Sequence, residues 1–428
     1  MDRDRTGYCI DSTKLKIRKI VLPLPLKFRV INLAGGILTR FGLFQQILSV
    51  DSMLDEAQSQ TGLSDWGDES FLPPLRMLTD PDMEKFKLTL VGKAMLRWNL
   101  VNCLKNRLLI QEEIKRHPEI IEQTIKRPLF IAGLPRTGTT LLQNLLSQDP
   151  FCRPLLYWEA LSPAPSPDPQ TYEVDPRIAK TEKQIASSFK LFPQYKAIHP
   201  SGARKPEECM YLLKNTFFEP TAFRLLANFP QYIEWQKEQS MIPAYQYYRQ
   251  QLQILQWKFP PAHWVLKAPV HLIYLDALLA VFPNARVIQI HRDPQKVVPS
   301  FLSLLGKSLG AGNKFDGKAF AELSETVIDS MQTILERAID IRSRADTGRF
   351  FDVYYKELIE NPIGVIRRIY KSFDYKFDSR FKDRIIAWLN ENPQGKYGEH
   401  RYSLEQFALK PETLKSRFAT YYKQFALI

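Results

Sequence analysis

The first residues with chemical potential lie in one short stretch, FIAGLPRTGTTLLQNLL. The apolar run Leu129–Ala132 is typical of a buried strand, and the leucines from Leu141 onward repeat at helical spacing. Between them, Gly133–Thr140 forms a glycine-containing turn, and backbone N–H groups at such a helix start bind anions. A loop for ATP or GTP would have lysine in place of Thr139, whereas this loop has Arg136 three positions earlier. The loop therefore predicts an anion site without triphosphate and magnesium chemistry.

A second cationic position follows a later strand, in the stretch VIQIHRDPQKVVPSFLSLL. Arg292 stands at the carboxyl end of this predicted strand, and Ser300 follows eight residues later on the next helix. Open α/β sheets bind ligands at the carboxyl ends of their strands, so this pair can clamp a second phosphate. The alternative is an arginine that pairs with Asp293 and a serine that simply follows Pro299.

Together the two segments resemble the sulfotransferases that use 3′-phosphoadenosine 5′-phosphosulfate (PAPS). In that family the 5′-phosphosulfate loop reads P-[KR]-[ST]-G-T-T, here Pro135–Thr140. The family's 3′-phosphate motif has an arginine and a serine eight residues apart, here Arg292 and Ser300. Further stretches look like a bacterial-type branch: WVLKAPVHL (264–272), KPEECMYLL (205–213) and GKYGEHRYSLEQF (395–407). The resemblance extends over residues 125–425.

The resemblance implies an enzyme that moves a sulfuryl group from PAPS to a hydroxyl or amine of a small-molecule or lipid-like acceptor. The transfer would be in line and would need no metal. The residues that the resemblance assigns to the nucleotide are Arg136, Thr137, Gly138, Thr139, Thr140, Arg292, Ser300, Lys396 and Arg401. Arg136 would also act in catalysis, at the 5′ end. Two alternatives are a P-loop kinase of a small molecule, which Thr139 disfavours, and a non-catalytic adaptor, which the two intact phosphate motifs disfavour.

Sulfuryl transfer also needs a base that takes the acceptor proton. We rank His271 first, because it follows a strand end in KAPVH and a histidine has an ordinary pKa of about 6.5. Lys267 would assist with its charge. His271 could instead cap the next helix. Glu207 and Glu208 are the rival bases, and their alternative role is that of charged residues in the first turn of a helix.

The elements around these motifs predict an α/β protein with a P-loop-like parallel sheet flanked by helices. Residues 51–116 predict an N-terminal helical layer, and strands alternate with helices from Leu129 onward. Later strands are predicted in HWVLKAPV, ARVIQIHRDP and RFFDVYYKEL, and helices in HLIYLDALLAVFP, PQKVVPSFLSLL and GVIRRIYKSF. A proline-rich stretch and the helices after it, 154–258, form a substrate-side insertion. The predicted division is an N-terminal arm and helical region, 1–120, and a sulfotransferase domain, 121–428.

No motif specifies the acceptor: a lipid, a polyketide-like chain, a sugar and a phenol all fit. Aromatic residues of the insertion are candidates for an apolar acceptor pocket, although such residues more often form core. These are Trp158, Tyr195, Phe217, Phe218, Tyr232 and Trp235.

The composition sets outer limits on function. The 428 residues are 44% hydrophobic and 25% charged, as in globular proteins. The net charge of +13 is spread along the chain without a nucleic-acid motif, which favours an enzyme with an anionic cofactor over a nucleic-acid partner. The four scattered cysteines indicate reduced thiols in a cytoplasmic protein. No apolar run would span a membrane, but the basic and apolar residues 14–50 predict peripheral membrane contact or, alternatively, a packed arm. The oligomeric state stays open.

Overall fold

The computed structural model describes residues 25–40, 46–80, 88–192, 196, 199–219, 223, 229–309, 317–393 and 402–427. Within these residues one parallel sheet carries helices on both faces. Its strands are β1 (Leu129–Ala132), β2 (Cys152–Pro154), β3 (His263–Lys267), β4 (Arg286–His291) and β5 (Phe350–Tyr354).

The described helices fall into three groups along the chain. Before the sheet come α1 (Leu26–Arg40), α2 (Val50–Thr61), α3 (Leu72–Thr79) and α4 (Leu90–Arg116). From β1 to β3 come α5 (Thr139–Leu146), α6 (Tyr157–Leu161), α7 (Pro176–Leu191), α8 (Met210–Leu213), α9 (Pro230–Lys237) and α10 (Ile242–Gln256). After β3 come α11 (Val270–Ile273), α12 (Leu275–Val281), α13 (Pro294–Leu309), α14 (Gly317–Arg344), α15 (Tyr355–Glu360), α16 (Pro362–Ser372), α17 (Ser379–Glu391), α18 (Pro411–Arg417) and α19 (Ala419–Phe425). Short 3-10 helices cover Pro118–Glu122, Tyr172–Val174, Lys214–Thr216, Thr347–Arg349 and Leu404–Phe407.

The strand order β2-β3-β1-β4-β5 puts β1 in the centre of the sheet. On one side Phe130 of β1 pairs with Leu266 of β3, and on the other Ile131 pairs with Ile288 of β4. Neighbouring connections therefore leave β1 in opposite directions, and this opens a crevice beyond its carboxyl end. The loops that follow β1, β3 and β4 border that crevice.

Both faces of the sheet are buried, which explains the unbroken apolar run of β1. Phe130 and Ala132 pack into the core that α10, α12 and α14 cover. Leu129 and Ile131 point to the opposite core, which α5, α16 and α17 cover. A strand that is covered on both faces has no solvent side and so needs no alternation of polar residues.

The N-terminal helices form a layer of their own, and local signals set their ends. Gly62 ends α2 with φ +70°, a conformation that glycine adopts without strain. The Thr89 hydroxyl accepts a hydrogen bond from the Gly92 N–H at 3.1 Å and so starts α4. This layer shares a core with the insertion, built from residues that include Met53, Leu100, Leu104, Phe217 and Tyr232. The division at residue 120 stays a prediction.

The predicted α/β class with a parallel sheet is confirmed, with corrections in detail. The predicted strand RFFDVYYKEL ends at Tyr354, where α15 begins, and the predicted helix after β3 is two short helices, α11 and α12. The proline-rich stretch was not expected to contain a strand, yet β2 reaches its first residue, Pro154, as an edge strand. Proline is tolerated at a sheet edge. Among the described residues, no helix is both long and apolar enough to cross a membrane.

Candidate active site

The loop after β1 has the backbone of a cradle. Gly138 has φ +98°, and a Cβ there would lie 2.8 Å from Cδ2 of Tyr355. Arg136 has φ +71°, an uncommon value for a residue with a side chain. The Thr137 hydroxyl donates to the Leu134 carbonyl at 2.7 Å, so it closes the turn from within. The loop thus leads into the N-terminus of α5 at Thr139, where backbone N–H groups lack partners inside the helix.

The two motifs that the sequence separates by about 160 residues are in direct contact. Nε of Arg136 donates to Oγ of Ser300 at 3.2 Å. Nη1 of Arg292 donates to the Arg136 carbonyl at 2.8 Å, and its guanidinium lies 3.9 Å from the ring centre of Tyr355. Burial lowers the pKa of Arg136, and the charge of Arg292 lowers it further. Two guanidinium groups held this close favour an anion between or beside them.

The alternative pairing of Arg292 with Asp293 is not present in the described part of the chain. Asp293 instead starts α13, because its Oδ1 accepts from the Gln295 N–H at 2.9 Å. The Tyr422 hydroxyl also donates to this carboxylate. The Arg292 guanidinium is therefore left to the loop after β1.

A lysine joins the loop to one of the two candidate carboxylates. Nζ of Lys267, at the end of β3, lies 2.6 Å from Oε1 of Glu208 and 3.5 Å from Oγ1 of Thr140. Lys267 is 1% exposed, whereas the Glu208 side chain is 17% exposed. The Lys267 carbonyl also accepts from the Cys209 N–H at 2.9 Å, which fixes the insertion against the sheet at this point.

The other carboxylate, Glu207, is buried and held by a histidine. Its Oε2 lies 2.9 Å from Nε2 of His199, and its Oε1 accepts from the Glu208 N–H at 2.9 Å. Burial raises the pKa of Glu207, but the charge and hydrogen bond of His199 and the charge of Lys267 outweigh it, so the pKa is lowered. The charge of Glu207 raises the pKa of His199 in turn. Both shifts favour the ionised forms, a Glu207 carboxylate and a His199 imidazolium.

His271, the base ranked first from the sequence, lies in the core. Its side chain is 0% exposed, with its ring edge-on to Phe130 at 4.9 Å between centres and its Nδ1 2.9 Å from the Tyr245 hydroxyl. Burial lowers the pKa of His271 to about 3, and the charge of Lys267 adds to this. A neutral imidazole with that pKa accepts a proton poorly at neutral pH.

Two predicted nucleotide contacts, Lys396 and Arg401, lie outside the described residues. Of the remaining loop residues, Thr139 is buried and Thr140 is exposed at the start of α5. In the described part of the chain, no group of three histidine, cysteine, aspartate or glutamate residues is placed to hold a metal ion.

A cavity of about 560 Å³ adjoins the Glu207–His199 pair, between α4 and α7. Its walls include His199, Tyr157 and Tyr211, and the charge of Glu207 contributes to the raised pKa of both tyrosines after burial. The aromatic residues proposed from the sequence lie elsewhere: Trp158, Phe217 and Tyr232 are fully buried, and Phe218 and Trp235 are packed against cores. Tyr195 lies outside the described residues.

Two residues of the site were missed from the sequence. Tyr355 follows β5 directly and supports both Gly138 and Arg292. The sequence placed Tyr355 inside the predicted strand RFFDVYYKEL, so the strand end at Tyr354, which would have pointed to the next residue, was not recognised. His199 gave no signal, because nothing in its local sequence shows that it folds back onto Glu207.

Comparisons with known proteins show the family of this chain. Residues 128–379 match the model of the sulfotransferase family. Sulfotransferase STF1 from Mycobacterium tuberculosis H37Rv has a similar structure, with 32% identity, a TM-score of 0.77 and coverage of 87% of this chain and 98% of that one. Sulfotransferase STF9 from Mycobacterium avium gives 30% identity, a TM-score of 0.81 and coverage of 90% and 98%.

A third relative, from Mycobacterium bovis, is the omega-hydroxy-beta-dihydromenaquinone-9 sulfotransferase Stf3. It is 24% identical over 297 residues, which are 67% of this chain and 72% of that protein. The family match covers both phosphate motifs and decides against the kinase alternative. The loop after β1 has no lysine, and a second cationic motif contacts it. With the family match and these relatives, these features show that this chain is an enzyme of the sulfotransferase family.

Proposed function

We propose that this enzyme binds PAPS across the crevice beyond β1 and transfers its sulfuryl group to a hydroxyl of a lipid-like acceptor. The donor follows from the family. The observation that carries the proposal is the contact between Nε of Arg136 and Oγ of Ser300, at 3.2 Å. This contact joins the 5′-phosphosulfate motif to the 3′-phosphate motif, so one nucleotide can engage both.

The residues around the crevice fit this donor. Gly138 turns the chain into the start of α5, where backbone N–H groups can bind an anion, and Arg136 and Arg292 bring two permanent positive charges. When bound, PAPS supplies the sulfuryl group and its 5′-phosphate oxygen becomes the leaving group. Arg136 and Lys267 would stabilise the negative charge that develops on that oxygen, which is the usual source of most catalysis in group transfer.

We assign the base to Glu208 in place of His271. One Glu208 oxygen accepts from Lys267, and the other has no hydrogen-bond partner among the described residues. Glu208 would take the hydroxyl proton as the acceptor oxygen bonds to sulfur and the bond from sulfur to the phosphate oxygen breaks. Glu207 is less suited, because His199 occupies its oxygens and its pKa is lowered by that partner against the effect of burial.

The acceptor class is proposed from the cavity and from a relative. The cavity lies between α4 and α7 and has His199, the partner of Glu207, and Tyr211 in its wall. Its volume of about 560 Å³ lies in the range of small-molecule sites, about 300–1,000 Å³. Stf3, which is named for a hydroxylated dihydromenaquinone, supports a lipid-like acceptor.

The test of the donor is calorimetry with adenosine 3′,5′-bisphosphate in the presence of a chelator. Binding without magnesium is expected, and binding of ATP that depends on magnesium would contradict the proposal. The test of the base is Glu208→Gln, which should lower turnover by about 10²–10⁴-fold and leave nucleotide affinity unchanged. Glu207→Gln is the matched control, and a loss confined to that variant would move the base to Glu207.

We also propose that α1 rests on an anionic membrane surface in the cytoplasm. Leu26, Val30, Leu33 and Ile37 are 53–72% exposed and follow each other at i, i+4, i+7 and i+11, so they form one apolar stripe. α1 has no acidic residue, and Lys27 is among its exposed cations.

The opposite side of α1 is already packed. Oδ1 of Asn32 accepts from the Val91 N–H at 3.0 Å, and Phe28 stacks on Phe192 at the end of α7. Since α4 and α7 also wall the cavity, the stripe lies beside the elements that would receive a lipid. A basic helix with a free apolar stripe matches the pattern of interfacial helices.

Sedimentation with phosphatidylcholine vesicles, with and without phosphatidylglycerol, tests the membrane proposal. The wild-type protein should bind the anionic vesicles, and Val30→Glu with Ile37→Glu should abolish binding. Ile386→Glu on α17, another exposed apolar position, is the control. No vesicle binding, or a dimer in light scattering that the α1 variant converts to a monomer, would contradict the proposal.

A further inference from the structure

The wall of the acceptor cavity is cationic. Lys105 of α4, Lys180 of α7 and Lys214 line it together with His199. The described residues that line it include no aspartate or glutamate. Like charges in a partly dry space repel each other, so grouping lysines around one cavity is unfavourable. An acceptor that is purely apolar would not offset this repulsion.

Lys214 is the innermost of these cations by burial. It is 6% exposed, and its ammonium lies 5.0 Å from the ring centre of Tyr211. Among the described residues its Nζ has neither an ion pair nor a hydrogen bond. Lysine side chains are rarely this buried without an anionic partner, and an anion in the cavity that Lys214 lines could reach its ammonium. The Tyr211 ring contacts this ammonium, but no anion does among the described residues.

Lys105 and Lys180 form a second cationic position in the same cavity. Nζ of Lys105 donates to Oε1 of Gln60 at 2.9 Å, a neutral partner. Burial lowers the pKa of Lys105, and the charge of Lys180 lowers it further. The carboxylate of Glu56 acts on Lys105 in the opposite direction, but it already forms an ion pair with Arg97 at 2.6 Å.

We infer that the cavity binds an acceptor with an anionic group, a carboxylate or a phosphate ester, that the cavity lysines Lys105, Lys180 and Lys214 hold. This inference rests on the proposed function for the identity of the cavity as the acceptor site. The acceptor is then an amphiphile with a hydroxyl at Glu208 and an anionic group farther along the cavity. Charge, in addition to apolar contact, would select it.

Calorimetry with three matched probes tests the inference: 12-hydroxydodecanoate, its neutral methyl ester and 12-hydroxydodecyl phosphate. At least one anionic probe should bind about tenfold more tightly than the ester, the effect of one charge-assisted contact. Comparison of the two anions shows which headgroup the lysines prefer. Equal binding of all three, tighter binding of the ester, or binding of none would overturn the inference.

Substitutions of the cavity lysines show which of them contact the anionic group of the probe. Lys214→Met and Lys180→Met should each weaken binding of the preferred anion about tenfold and leave binding of the ester unchanged. Lys180 is exposed, so its variant should fold even if the Lys214 variant does not. Lys183→Met, on the same helix but outside the cavity wall, is the control and should have no effect. Anion affinity that neither cavity variant alters would overturn the inference.

Affinity for adenosine 3′,5′-bisphosphate, measured on the same samples, separates this inference from the proposed function. Absence of nucleotide binding by the wild-type protein would contradict PAPS as the donor. Loss of the preference for anionic probes with normal nucleotide binding would contradict only the anionic acceptor.

Discussion

The proposed nucleotide side and the proposed acceptor side of this site are built in opposite ways. The proposed nucleotide side lies at strand ends, where Arg136 contacts both Ser300 and Arg292. The proposed acceptor side is a cavity between α4 and α7, with His199 in its wall. Strands hold the first in one geometry, whereas the second depends on how separate helices pack.

Because of this difference, we expect donor binding and acceptor choice to depend on separate sets of residues. A change in the cradle alters groups that every acceptor needs, because all acceptors share one donor. A change on the wall of the cavity alters only the fit of one acceptor, since loops and insertions can vary on a fixed scaffold. Variants on the two sides should therefore separate turnover and nucleotide affinity from acceptor choice.

The largest effect is expected from the 5′ side of the cradle. Arg136→Met removes a positive charge where the leaving oxygen would lie, and turnover should fall by about 10²–10³-fold, as for loss of one stabilising donor. Single-turnover kinetics with labelled PAPS measure this. Lys180→Met, on the wall of the cavity, is the comparison at saturating acceptor and should retain turnover, and an equal loss in both variants would abolish the distinction between the two sides.

The 3′ contacts should act through binding. Arg292→Ala and Ser300→Ala should each weaken binding of adenosine 3′,5′-bisphosphate by about 1.5–3 kcal/mol, the range for hydrogen bonds to charged groups. Binding of adenosine 5′-phosphate, which lacks the 3′-phosphate, should change far less. Calorimetry with both nucleotides gives the comparison, and equal losses would place these residues away from the 3′-phosphate.

Acid stability tests whether His271 belongs to the core or to the chemistry. The folded protein holds the pKa of His271 at about 3, below the ordinary value of 6.5, because burial disfavours the cation. Between these values the unfolded chain binds the proton and the folded protein does not, so stability is lost as pH falls. His271 should contribute up to about 1.4 kcal/mol per pH unit.

Urea unfolding at several pH values between 7 and 4 should show a shallower slope for His271→Gln than for the wild type. His263, whose pKa burial lowers to about 4, leaves a remaining slope in both proteins. Turnover per folded molecule of His271→Gln should be retained. A loss of more than 100-fold would return the base to His271.

The smallest effect is expected at Tyr355, which supports the cradle through its ring. Among the described residues it forms no hydrogen bond to either phosphate motif. Its ring lies 3.9 Å from the Arg292 guanidinium, and Tyr355→Leu removes that stacking. Binding of adenosine 3′,5′-bisphosphate should weaken by about 0.5–1 kcal/mol, the range for a cation–π contact. Tyr355→Phe keeps the ring and should bind as the wild type does; equal losses in both variants would point to the hydroxyl instead.

The cradle, the strands β1, β3 and β4, and the family could all be predicted from the sequence. Each of these depends on residues close together in the chain: Gly138 is a glycine where φ is +98°, and β1, which is buried on both faces, is apolar throughout. The eight-residue spacing of Arg292 and Ser300 also predicts their relative position in the fold, because the strand end and the next helix are rigid elements.

Which candidate base is accessible, and where the proposed acceptor cavity lies, depends on the tertiary structure. His271 and Glu208 both stand next to a strand end or a helix start, but the first lies against Phe130 in the core and the second beside Lys267 at the crevice. Burial is the sum of contacts from distant segments, and it sets the pKa of His271 as well as its reach. The residues next to His271 in the sequence cannot show these contacts. Tyr245, which hydrogen-bonds to His271, belongs to α10, and β3 lies between α10 and His271 in the sequence.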